Sequence, residues 1–84
     1  MEEQIGKVTH YFGQLGVAAA QLTGELKVGD QVRIKGHTTD FSQPVDSLEV
    51  EHQKVDQAGP GDRVAFKTKE KARVGDQVHR VRPG

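Results

Sequence analysis

Four histidines (His10, His37, His52 and His79) and two serines (Ser42 and Ser47) are the side chains of this 84-residue chain to weigh first for catalysis or metal binding. Nucleophilic catalysis needs Ser or Cys beside a base that a third group orients. Cys is absent, Ser42 and Ser47 flank Pro44 with no elbow motif, and His52 is near Ser47 only along the sequence. No two histidines stand at i, i+2 or i, i+4, and on a strand Glu51 would point away from His52, so no metal-binding set is expected. His52 itself continues the Leu48–Val50 alternation and reads as a partly buried rim residue. The chain reads as non-enzymatic, with no cofactor and no metal. More suggestive is a run of cations. Lys67, Lys69, Lys71 and Arg73 alternate with residues that extend the Val64, Phe66, Thr68 pattern. On a strand ending in a hairpin they would line one outer surface, a row suited to phosphates, although lysines also guard strand edges in solvent. Tyr11 offers a ring for stacking, Phe12 is assigned to the core, and Arg80 is a secondary cation.

The elements that must position these residues are short. Ten glycines, spaced from Gly6 to Gly84, leave little room for helices of ordinary length. Gln31–Lys35 and Arg63–Lys69 alternate apolar and polar residues as half-buried strands do. Ile5 lies out of phase with Val8 and Phe12, which places a bulge near Gly6. Val17 to Leu22 lies between Gly16 and Gly24, too confined for a helix, and is assigned to a strand. Phe41 to Ala58 has a helical alternative through Val45, Leu48 and Val55, but a parity change near Pro44 to Ser47 favours a bent strand with a bulge. Val28-Gly29-Asp30-Gln31-Val32 recurs at Val74-Gly75-Asp76-Gln77-Val78, with a looser copy at Gly61-Asp62-Arg63-Val64. Each pairs a glycine able to take positive φ with an aspartate able to bond its own downstream amides, and each marks a strand start. The expectation is one all-β domain over residues 1–84, a small closed antiparallel barrel of six or so strands.

Charge is balanced overall, with 12 basic and 12 acidic residues, but it is polarised along the chain. Five carboxylates face one lysine between Asp40 and Asp56, and seven cations face three carboxylates between Asp62 and Arg82. The longest apolar run, Val17 to Ala20, is far too short to span a membrane, and the start Glu2-Glu3 is unlike a secretory leader. With Cys absent as well, a cytoplasmic location is expected.

The order "IGKVTHYF", "GVAAAQL", "GELKVGDQVRIKG", "VDSLEVEHQKVDQAGPGDRVAFK" and "ARVGDQVHRV" resembles the second, β-barrel domain of translational GTPases such as elongation factor Tu. The likeness runs from Ile5 to Val81 and is most specific from Val45 to Phe66. The segments "GHTTDF" and "KEKARVGD" are similar to those of free-standing small proteins called translation elongation factor-like, and a weaker resemblance is to the C-terminal barrel of U32-type collagenase-like peptidases. A translational GTPase also needs a GxxxxGK[ST] phosphate loop. The lone Gly6-Lys7 is followed by Val8 and preceded at the required spacing by Met1, so GTP binding and hydrolysis are not expected. The resemblance implies a role at RNA or a ribosome-associated surface. The expectation is a monomeric binding module that makes this contact through Lys67, Lys69, Lys71 and Arg73, with Tyr11 and Arg80 secondary. The alternative is a protein-interaction barrel serving a separately encoded enzyme such as a U32-type peptidase, through the acidic Asp46 to Asp56 strand or the basic hairpin.

Overall fold

A computed structural model describes residues 2–82, which form strands and turns only. The strands are β1 (Glu2–Phe12), β2 (Val17–Leu22), β3 (Leu26–Lys27), β4 (Gln31–Lys35), β5 (Asp40–Pro44), β6 (Glu49–Val50), β7 (Gln53–Lys54), β8 (Gln57–Ala58), β9 (Arg63–Lys67) and β10 (Gln77–Val81). Eight of them make one antiparallel sheet in the order β5-β4-β10-β1-β2-β9-β6-β7, and β3 pairs with β8 in a separate ribbon. The sheet wraps around Ile5, Leu22, Leu26, Val32, Ile34, Leu48, Val64, Phe66 and Val78, all essentially inaccessible to solvent.

The expected closed barrel is approximate. No backbone ladder joins the terminal strands β5 and β7. Instead Gln43 of β5, itself buried, donates its amide N–H to the Lys67 carbonyl (2.7 Å) and accepts from the Lys69 N–H (2.7 Å). One side chain thus closes the seam to the end of β9, with about the value of two ordinary hydrogen bonds.

The three Gly-Asp repeats build one device three times. Gly29, Gly61 and Gly75 have φ of 98°, 92° and 94°, the value that the third residue of a type II turn requires. In each turn the aspartate N–H donates to the carbonyl three residues back, at 3.0 to 3.1 Å. Its carboxylate accepts from the N–H of that same residue: Asp30 from Lys27, Asp62 from Gly59 and Asp76 from Arg73, at 2.8 to 2.9 Å. The sequence suggested downstream amides as partners; the observed partner lies upstream, because the turn folds its own first residue over the carboxylate.

β1 carries two irregularities. The bulge expected near Gly6 is present, between Gln4 and Gly6 against β10. A Cβ on Gly6 would stand 2.6 Å from the Gln21 carbonyl oxygen, so only glycine lets β2 approach this closely. A second register shift falls between Val8 and His10 against β2. It inverts the facing of everything beyond it: Tyr11 packs against the core, and Phe12 turns outward with 43% of its surface exposed. The expectation of a core Phe12 and an outward Tyr11 is reversed, since one extra residue exchanges the faces of a strand.

Two further expectations are corrected. Phe41 to Ala58 has no helix, as expected, but neither is it one bent strand: β6 and β7 form a hairpin around Glu51 and His52. β9 ends at Lys67, short of the expected Lys69, and the chain then loops to β10 with Ala72 inserted in the core.

Candidate functional site

On one part of the sheet the usual polar outer surface is missing. β2 pairs with β9 so that Val17, Ala19 and Ala65 share the outward side, with Ala19 directly opposite Ala65. Glu49 of β6 follows opposite Ala65. These small side chains make the floor of a groove. One bank is the β1–β2 hairpin, where Phe12 and Leu15 are exposed and the Phe12 ring lies 4.4 Å from that of His10. The other bank is the β6–β7 hairpin with Glu49 and His52.

Two adjoining cavities occupy the groove, of about 250 Å³ and about 230 Å³. They share Phe12, Glu49, His52 and Ala65. The first adds Val17 and Lys67, the second Ala19, Glu51 and Arg63.

The β6–β7 bank has an unusual backbone. Glu51 and His52 have φ of 51° and 64°, both left-handed, in the two-residue turn between the paired Val50 and Gln53. Such a turn favours Asn-Gly, and each side-chain-bearing residue held there costs about 1–2 kcal/mol. The strain presents an exposed His52 to the groove, where the sequence had suggested a partly buried rim position.

The residues singled out from sequence are dispersed. Lys67, Lys69, Lys71 and Arg73 are exposed, but only Lys67 is on a strand, so they do not form the single-strand row expected of them. The Arg73 N–H is engaged by Asp76. Tyr11 faces the core rather than a ligand. Arg80 is tied inside the fold, donating to Glu3 (2.7 Å) and to the Glu25 carbonyl (3.0 Å) with its side chain only 13% exposed. The groove was missed, although the signal was in the sequence: Val17 to Ala20 is apolar at both parities, and Ala65 stands where the pattern of Arg63 and Lys67 calls for a polar residue.

The outer surface of β4, β5 and the start of β1 is of the opposite kind. Arg33 grips Asp40 with two bonds of 2.7 Å and reaches Glu2 at 2.8 Å. Hydrogen bonding to Arg33 holds the Asp40 and Glu2 carboxyls below their ordinary range, and the same bonds raise the guanidinium. His79 lies 3.9 Å from Glu2 and pairs with Gln77.

Fold and groove together define a small antiparallel β module with one apolar outer face. Residues 22–79 match the family model described as elongation factor Tu domain 2, and the chain belongs to that family. Its relatives, however, are peptidase domains. The chain is 40% identical over 78 residues to a collagenase of Porphyromonas gingivalis, covering 90% of this chain and 22% of the collagenase. It is 35% identical over 77 residues to an uncharacterized protease of Methanocaldococcus jannaschii, covering 90% of this chain and 19% of the protease. The chain thus spans about a fifth of the length of the curated relatives it matches. Two crystal structures of the C-terminal domain of a Geobacillus thermoleovorans protein assigned to the U32 peptidases superpose closely. One has a TM-score of 0.89 at 25% identity, covering 95% of this chain and 93% of that domain. The selenomethionine form has 0.86 at 26% identity, covering 90% and 96%.

Proposed function

We propose that the chain is a non-enzymatic accessory barrel of a U32-type peptidase system, binding another polypeptide while the reaction takes place elsewhere. The observation that carries this reading is the 40% identity to the Porphyromonas gingivalis collagenase across nearly the whole chain. The surface supports it: the outer face of β2 and β9 is apolar at Val17, Ala19 and Ala65, as the buried centre of a protein-binding patch is. Contact with RNA is the weaker reading, because Tyr11 and Arg80 face inward and the four cations Lys67, Lys69, Lys71 and Arg73 do not share a strand.

The test is complementation. The Porphyromonas gingivalis collagenase is prepared without the fifth of its length that this chain matches, and peptide hydrolysis is followed with and without this chain added. The expected outcome is a lower KM on addition, with kcat little changed. No change in either constant, together with ribonuclease-sensitive binding of the chain to RNA, would overturn the proposal in favour of an RNA role.

A further inference from the structure

We infer that the groove between Phe12 and the Glu51–His52 turn binds an extended segment of another polypeptide, carrying small or medium apolar side chains at alternate positions. The inference rests on the accessory-barrel reading and names what the barrel would hold. Spacing is the first argument. The two cavities follow the strand direction, one at the level of the Val17–Lys67 pair, the next at that of the Ala19–Ala65 pair. That is a step of two residues, or about 7 Å along a strand. An extended peptide presents its own same-side residues at the same interval of about 7 Å, so residues i and i+2 of the guest fall in successive cavities.

Charge is the second argument. Glu49 and Glu51 on the β6–β7 bank balance Lys67 and Arg63 at the two ends of β9, which carries the floor. A neutral groove with an apolar floor favours an uncharged apolar guest. A phosphodiester chain, with one negative charge per nucleotide, would meet two carboxylates and gain no net attraction. The third argument is the backbone. Holding Glu51 and His52 left-handed is unfavourable, and strain of this kind is retained where the placed side chain has a use. Here the side chain is His52, whose ring has an apolar body and a polar edge able to bond a peptide N–H or carbonyl.

Fluorescence anisotropy with a fluorescein-labelled decapeptide alternating valine and serine tests the inference, with an all-serine decapeptide and a labelled decauridylate as comparators. The valine peptide should saturate the chain and the all-serine peptide should not. Ala65→Gln, which fills the floor from an outward position, and Phe12→Ser, which lowers one bank, should each weaken binding about tenfold, the value of one buried apolar side chain. Lys71→Gln should leave it unchanged. Should Ala65→Gln fail to keep the wild-type melting curve, Phe12→Ser decides, since that side chain is largely outside the core. Absence of saturation below about 1 mM, unchanged affinity in the groove variants, or tighter binding of decauridylate than of the valine peptide would overturn the inference. The collagenase assay separates it from the wider reading. Complementation by Ala65→Gln would leave the accessory role standing without the groove, and peptide binding without complementation would leave the groove without that role.

Discussion

Arg33 and Ala65 occupy outward positions on strands of the same sheet, yet their surroundings are opposite. The Arg33 charge is answered within the chain, by Asp40 on β5 and Glu2 on β1. Around Ala65 the outer surface is Val17, Ala19 and an exposed Phe12, with Glu49 beside them. A surface whose charges are mutually paired offers little to a partner, because binding must first match the bonds it displaces. The bare half has no such bonds to lose, and burying it is favourable in itself. The two halves divide labour: one ties strands together, the other remains free for a guest.

The sharpest way to break that division is to disturb the joint under the charged half. Gly36, just beyond β4, lies against the carboxylate of Asp76, and a Cβ there would overlap Asp76 Oδ1 and Cγ. Gly36→Ala should cost about 3 kcal/mol, since the Asp76 carboxylate is buried and held by the Arg73 N–H and cannot swing aside freely. In a domain of this size, thermal unfolding should fall by roughly 12–24 °C. Next in size is the link between the halves. Gln43→Leu removes both bonds across the seam and leaves the Lys67 carbonyl and the Lys69 N–H without that partner, a loss of about 2 kcal/mol readable by urea denaturation.

A change of opposite sign sharpens the contrast on the bare side. Replacing Glu51 by Asn and His52 by Gly matches the turn to its backbone and should stabilise the domain by about 1–2 kcal/mol. The same double variant should weaken the valine peptide. If stability did not rise, the left-handed pair would not be strained and the third argument for the groove would fall.

The charged half should respond to acid. The Asp40 and Glu2 carboxyls are lowered in the folded protein, so each contributes stability above its unfolded pKa near 4 that disappears as pH falls through the lower folded value. Melting temperature should therefore drop as pH falls below about 4, and Asp40→Asn should flatten that drop. Both carboxylates are in solvent, so 1 M NaCl should reduce the effect, as screening shortens to about 3 Å. An unchanged acid profile in Asp40→Asn would assign the drop to other carboxylates. The smallest effect is expected where neither half is touched: Lys69→Gln with Lys71→Gln should shift stability by no more than about ±0.5 kcal/mol per site. It should also leave peptide binding intact, whereas a flattened salt dependence of decauridylate binding would revive the basic loop as a nucleic-acid contact.

The turns and the strands beside them were legible in the sequence because their determinants are local. Gly29, Gly61 and Gly75 with the following aspartates define the same bend wherever they occur, and Gln31–Lys35 alternates without interruption. Tyr11 and Phe12 were misread for a reason no alternation count reveals. The bulge between Val8 and His10 depends on how β1 pairs with β2, and it has no glycine or proline to mark it. The Glu51–His52 hairpin was hidden in the same way, since neither residue favours the left-handed backbone it adopts there. The groove had a sequence trace in Val17, Ala19 and Ala65, but three small residues become a site only when β2 and β9 set them side by side.

The order of strands also bears on how the domain is made. β10, the last strand among the described residues, lies between β4 and β1 and is hydrogen-bonded to both. Until it arrives, the sheet exists only as two fragments, β5 with β4 and β1 with β2, β9, β6 and β7, each with a bare edge. Assembly must therefore wait for residues about 75 positions after β1, the long-range closure that slows folding in β proteins to milliseconds or longer. A chain halted before Gln77 would expose two templates for foreign strands, so the step most open to aggregation comes just before the final one.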